Sequence, residues 1–284
     1  MKRLLCGVAV WTLLVGLTVP AKAQYMYTTL DPPDSTFTQA FKINTFGQIV
    51  GTYYDAGNGA HGYLLDVDGS YTTLDVPGPF LTHASGINNS GQIVGGYQDF
   101  DSAFHGFLLD VDGTYSTFDV PGSTSGGAQG INDIGQIVGQ YNDARGTHGF
   151  LLSGGNYTPL DVPGASETSA WGINGSGQIV AWYFVSVTVL HGYLRDVDGS
   201  YTTLDFPGST NTLAYGINDA GQIVGEYDDG HTHHGFLRDM DGSYTTLDFP
   251  GATYTYAFGI NDAGQVVGHY YDGRTLHGFL ATPK

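Results

Sequence analysis

The decapeptide Gly216-Ile217-Asn218-Asp219-Ala220-Gly221-Gln222-Ile223-Val224-Gly225 recurs almost letter for letter at 172–181 and 259–268. Aligned on Tyr-Thr-Thr-Leu-Asp and its variants, the chain holds six copies, beginning near Tyr27, Tyr71, Tyr115, Tyr157, Tyr201 and Tyr244, at spacings of 44, 44, 42, 44 and 43 residues. Each copy passes through a Pro-Gly bend, Gly-Ile-Asn, a turn, Gly-Gln-Ile-Val-Gly, a tyrosine, a variable loop and His-Gly-Phe/Tyr-Leu, with small variations. A fixed period of this length belongs to architectures in which one small unit buries its apolar faces against its neighbours.

The unit reads as β throughout. In the fifth copy, four runs at 214–218, 222–227, 235–238 and 244–247 are rich in Ile, Val, Tyr, Thr and Phe and are bounded by turn residues. No run of helical length carries a 3.6-residue period. Asn218-Asp219-Ala220-Gly221 and Asp241-Gly242 are hairpin turns in which glycine supplies the positive φ. Adjacent Ile223 and Val224 must point to opposite faces, so both faces of the sheet need cover. The expected fold is an all-β, six-bladed β-propeller of four-stranded antiparallel blades. The last copy stops at Lys284 without its fourth strand, while an unattached copy of that strand stands at 25–30. The N-terminal strand is therefore expected to complete the sixth blade and close the ring.

Residues 1–23 read as a signal peptide: Lys2 and Arg3, an apolar run from Leu4 to Val19, then Ala21-Lys22-Ala23 as a cleavage site. That leaves 24–284 as one propeller domain, placed in the periplasm or outside the cell, with no membrane span after cleavage and a monomer expected. The only cysteine, Cys6, leaves with the leader, so no disulfide supports the fold. After cleavage six basic residues face 27 acidic ones, a net charge of −21. Such a surface disfavours nucleic acid and anionic lipid as partners and leaves cations, neutral ligands and basic proteins.

Six histidines recur at one place: His61, His105, His148, His191, His234 and His277. Five follow an aspartate closely: Asp55, Asp99, Asp143, Asp229 and Asp272. A hydrogen bond that fixes each loop is the expected role. Asp66-Val67-Asp68-Gly69 and its copies offer too few oxygens for a calcium loop and read as turns. Asp31, Asp75, Asp119, Asp161, Asp205 and Asp248 each precede a bend and are expected to cap it. No Gly-x-Ser-x-Gly, His-Glu-x-x-His or phosphate loop occurs, so the sequence carries no catalytic signature.

Differences between copies concentrate in two loop sets that should emerge on one side of the ring, as on a binding face. Blade four is apolar there: Trp182, Phe184 and Val185 are candidate contact residues, with Trp171 on its inner strand, expected mainly as core between blades. Blade five places Asp228, Asp229, His231 and His233 close together, a candidate site for zinc or another divalent metal, with His269 nearby. No cofactor is otherwise implied.

The repeated pattern from Gly-Ile-Asn-Asp-Ala-Gly-Gln-Ile-Val-Gly to His-Gly-Phe-Leu resembles the bacterial extracellular HAF repeat, with Gly235 in place of the alanine of its His-Ala-Phe triplet. The resemblance covers residues 25–284; it implies export and a repeat architecture and supplies no catalytic residues. The expected function is binding or scaffolding, with a glycan or an extracellular protein as partner, since 20 tyrosines can serve as sugar platforms. The alternative is an extracellular hydrolase or lyase, with or without a metal, acting at the variable face or the central channel.

Overall fold

The computed structural model describes residues 25–78, 81–186 and 189–284. The leader expected at 1–23, Gln24, residues 79 and 80, and Val187 and Thr188 of the apolar loop lie outside them. Every regular element among the described residues is a β-strand. Within each repeat the strands pair antiparallel in chain order. In unit five they are Asn211–Ile217, Ile223–Asp228, His233–Arg238 and Tyr244–Leu247. The first strand starts three residues before the apolar pattern does. Thr212 is polar yet fully buried there, because its hydroxyl accepts from the Phe206 N–H at 2.9 Å. Units one and two also share a single parallel bridge, Ala60 to Leu81.

One valine from each unit enters the core of the next. Val50 packs with Ile93 and Phe107 of unit two, Val94 with Ile131 and Phe150 of unit three, and Val138 with Ile173 and Ile179 of unit four. Val180 and Val224 continue the series into units five and six, and Val267 of unit six packs with Ile43, Ile49 and Tyr63 of unit one. This is why Ile-Val recurs: one residue serves the unit's own core and the other its neighbour's. Removing one fully buried ring such as Phe279 would cost about 3–5 kcal/mol.

Asparagines repeat the same connection on the polar side. Asn44 donates its amide to the Asn88 carbonyl, Asn88 to Asn132, Asn132 to Asn174, Asn174 to Asn218, and Asn218 to Asn261, at 3.1–3.3 Å. Asn261 donates to Asn44 at 3.1 Å, so the six bonds return to their start. The N-terminal strand, Tyr25–Leu30, pairs antiparallel with the last, Leu276–Pro283, from Tyr25 opposite Pro283 to Leu30 opposite Gly278.

Unit four departs from the others for a steric reason. Five second strands carry a glycine (Gly51, Gly95, Gly139, Gly225 and Gly268), and a Cβ there would fall on a backbone carbonyl of the first strand, such as that of Leu213. Unit four has Ala181, and its first strand is split into Glu167–Thr168 and Gly172–Ile173. The Ser169 carbonyl between the two pieces accepts instead from the Tyr193 hydroxyl at 2.6 Å.

Candidate functional site

The two constant turn sets adjoin each other: Gln48, beside the first, donates to Asp66 of the second. The variable loops adjoin at the other end, where Phe104 N–H donates to Ser125, Leu190 N–H to Asn211, and Thr275 to the Thr36 carbonyl. A cavity of about 440 Å³ lies toward this variable end.

Two features of the sequence build it. The first is a bulge in the first strand, seen at Ala40/Lys42, Ala84/Gly86, Ala128/Gly130, Ala214/Gly216 and Ala257/Gly259. A bulge leaves one residue out of the ladder and re-aims its side chain. The residues at this place are Phe41, Ser85, Gln129, Trp171, Tyr215 and Phe258. The aromatic ones cluster: Trp171 meets Tyr215 at 4.9 Å, Tyr215 meets Phe258 at 4.5 Å, and Phe258 meets Phe41 at 5.4 Å between ring centres. Ser85 and Gln129 contribute a hydroxyl and an amide to the same cavity as Phe41, Trp171 and Phe258.

The second feature is a missing pair of side chains. Where consecutive units meet, the fourth residue of one second strand faces the third residue of the next first strand. Thr52 bonds His83 at 3.1 Å, Ser169 donates to Gln140 at 2.8 Å, and Gln39 bonds His269 at 3.3 Å. Between units two and three both positions are glycine: a Cβ on Gly127 would meet nothing nearer than the Gly96 Cα at 3.5 Å. The cavity opens there, with Gln39, Gln140 and Asn142 adding amides and His83 an imidazole. Burial holds His83 below its usual pKa, which favours the neutral imidazole. Among the described residues no carboxylate, lysine or arginine lines the cavity.

At the level of Gly86, Gly130, Gly172, Gly216 and Gly259, unit one alone has a long side chain, Lys42. Its ammonium donates to the Tyr215 carbonyl and, at 2.8 Å, to that of Phe258, and burial lowers its pKa to about 7. Lys42 lines a second, smaller cavity of about 90 Å³ toward the constant turns, with Asp133, Asp219 and Asp262 at its mouth.

Behind the aromatic cluster lies Glu226, 6% exposed. Tyr215 donates to its Oε1 at 3.0 Å, and Oε2 has no hydrogen-bond partner among the described residues. Burial raises its pKa to about 8. His233 Nδ1 stands 3.6 Å from Oε2.

The candidate residues from the sequence divide accordingly. Trp171 packs on unit four's own core of Ala181, Tyr183 and Tyr193, meets Tyr215 of unit five, and walls the cavity. Trp182 and Phe184 are half-buried against each other at 5.6 Å, and Val185 is exposed; none of the three lines the cavity. Asp228, Asp229, His231 and His233 are not gathered to one point. Asp228 accepts from Gly230, Asp229 accepts from the His231 and Thr232 N–H groups, and His233 turns toward Glu226. Among the described residues no group of three or more His, Cys, Asp or Glu is placed to hold a metal ion.

The six repeated histidines all pair through Nδ1 with the aspartate that follows the Leu or Phe: Asp75, Asp119, Asp161, Asp205, Asp248 and, for His277, Asp31, at 2.8–2.9 Å. These aspartates therefore hold the imidazole rather than cap the bend. In four units a threonine hydroxyl meets the bend's N–H instead, as Thr82 does for Val76. In five units Nε2 also faces the earlier aspartate, at 3.1–3.6 Å. Burial opposes the charge on His105, but hydrogen bonds to Asp119 and Asp99 outweigh it and raise the pKa. In the Asp-x-Asp-Gly turns the carboxylates accept backbone N–H groups, Asp66 from Val67 and Asp68 from Ser70.

Four-stranded antiparallel units packed in series, with no helix among the described residues, define an all-β protein of the propeller type. Solved structures agree. The chain is similar to the Aleuria aurantia lectin, a six-bladed β-propeller with a novel mode of fucose recognition, at 15% identity over 89% of this chain and 93% of that one, TM-score 0.54. It is similar to TolB from Acinetobacter baumannii at 16% identity over 89% and 65%, TM-score 0.57. It is also similar to virginiamycin B lyase from Staphylococcus aureus at 12% identity over 90% and 87%, TM-score 0.51. At these identities the likeness is one of fold. No family model and no curated protein matches the chain.

Proposed function

We propose that this chain is an exported, monomeric six-bladed propeller of the HAF-repeat kind that binds a saccharide in the cavity at its variable end. The ring reading is supported by the pairing of Tyr25–Leu30 with the last strand and by the six asparagine bonds that return from Asn261 to Asn44. The observation that carries the binding reading is the cavity's two-sided chemistry. Aromatic rings from units one, two, four and six stand with hydroxyl and amide groups from units one, two and three. A sugar presents C–H faces that pack on aromatic rings and hydroxyls that pair with amides. A similar fold in a lectin fits this reading without naming the sugar.

The hydrolase or lyase alternative has less to work with. Glycoside hydrolysis by the usual route needs two carboxylates flanking the bond. The only titratable side chain lining this cavity among the described residues is His83, and Glu226 sits behind Tyr215. An aromatic platform repeated at every blade would favour many equal sites, whereas the glycine pair occurs at one junction.

A glycan array probed with the mature protein tests the reading. Neutral saccharides should be retained, and Trp171→Ala should weaken binding about tenfold or more, as loss of a central aromatic contact does. Failure to retain any saccharide, or retention unchanged in Trp171→Ala, would refute it.

A further inference from the structure

We propose that the cavity takes the uncharged terminal residue of a saccharide chain, end-on, and that each protein chain has one such site; this rests on the saccharide reading above.

The end-on geometry follows from what lies beneath the cavity. Phe41, Trp171 and Phe258 stand at its inner side. The main chains of neighbouring units come together at the next level. A Cβ on Gly130 would lie 2.8 Å from the Trp171 carbonyl oxygen, and one on Gly216 would lie 2.7 Å from that of Phe258. Lys42 reaches across this level from unit one to carbonyls of units five and six. Lys42 lines the smaller cavity and Phe41, beside it in the chain, the larger; on this proposal the side chains between them stop a polymer from threading from one face to the other. A ligand enters from the variable end and stops at the aromatic floor. The volume of about 440 Å³ sits toward the lower part of the range for small-molecule pockets, about 300–1,000 Å³, room for one or two sugar residues.

The absence of charge follows from the lining and the whole molecule together. No carboxylate, lysine or arginine among the described residues reaches the cavity. A uronic or sialic acid would find no cation there and would approach a strongly acidic protein. A protonated amino sugar would lose its hydration without gaining a counter-charge.

The single site follows from the junctions. Side chains meet at the junctions of units one and two, three and four, and six and one; Trp182 with Leu213 and Glu226 with Tyr256 hold the corresponding positions at the fourth and fifth junctions, and Gly96 and Gly127 leave the second open.

The test compares neutral oligosaccharides of one linkage with and without ends: linear maltoheptaose against β-cyclodextrin, linear against cyclic β-1,2-glucan, and array pairs with the same monosaccharide in terminal or internal position. The protein is the full mature chain. The expected result is that any sugar bound in linear or terminal form binds at least about tenfold more weakly when cyclised or placed internally. Gly127→Leu should abolish binding while leaving the melting temperature near that of wild type, since the new side chain projects into open space. Should that variant not fold, Gly96→Leu serves instead, because its Cβ meets nothing nearer than 3.6 Å. Equal binding of cyclic and linear forms overturns end recognition while the saccharide reading stands. Wild-type strength in a folded Gly127→Leu or Gly96→Leu protein overturns the location. No binding of any saccharide by wild type overturns both this proposal and the reading beneath it.

Discussion

Two tyrosines with the same place in the repeat illustrate how far one residue's role depends on its surroundings. Tyr193 donates to the Ser169 carbonyl, which Ala181 has displaced from its ladder, while the buried hydroxyl of Tyr63 has no partner among the described residues. Tyr193→Phe should cost about 1–3 kcal/mol by leaving a buried carbonyl unmet, and Tyr63→Phe should be neutral or stabilising. Urea unfolding of both variants checks this, and equal losses would contradict it. Glu226 makes a second residue-scale claim. Its carboxyl ionises less readily in the fold than in the unfolded chain, so the native state holds the extra proton between about pH 4.5 and about pH 8. Stability contributed by this group is present at low pH and lost as pH rises through that window, by an amount on the order of a few kcal/mol. Relative to Glu226→Gln, wild type should therefore lose stability from pH 5 to pH 8. A difference that stays flat or grows would show that Glu226 ionises normally. The burial of Glu226 was not legible in the sequence. Units cover both faces of each strand, so no polar–apolar alternation marks which polar residue is solvated.

At the scale of the element, the strands and their order were legible because β-branched and aromatic runs are punctuated by glycine, proline and aspartate in every copy. The starts of the first strands were not, since they are held by buried threonines such as Thr38, Thr212 and Thr255 rather than by apolar residues. The pairing of the two chain ends was legible from the missing fourth strand of the last copy. Leu30 is buried in that pairing, and Asp31 holds His277 at 2.8 Å. Deleting residues 24–31 should lower the melting temperature by about 10 °C or more, given about 2–5 kcal/mol for the leucine alone and further loss of the ladder. An unchanged thermal midpoint would show that the strand adds nothing to the fold. Histidine partners were half legible. The nearby aspartates stand out by sequence distance, whereas the closer partners lie 13 or 14 residues away across a hairpin, or 246 away for His277 and Asp31.

At the scale of the whole molecule, repetition makes the scaffold and difference makes the site. The scaffold could be read because six copies state the same valine, asparagine and glycine requirements. The cavity could not, because it arises from what two positions lack. Gly96 and Gly127 are 31 residues apart, and only the packing of unit two on unit three brings them together. The apolar residues of unit four drew attention in the sequence, yet of these only Trp171 reaches the cavity. The acidic surface and the uncharged cavity together favour neutral ligands. The central claim is that one junction of the six is a binding site. Calorimetric titration of residues 24–284 with a saccharide retained on the array measures this directly. One ligand per chain in wild type, and none in Gly127→Leu, is the predicted result. Several equivalent sites per chain, or an unchanged isotherm in the variant, would contradict it.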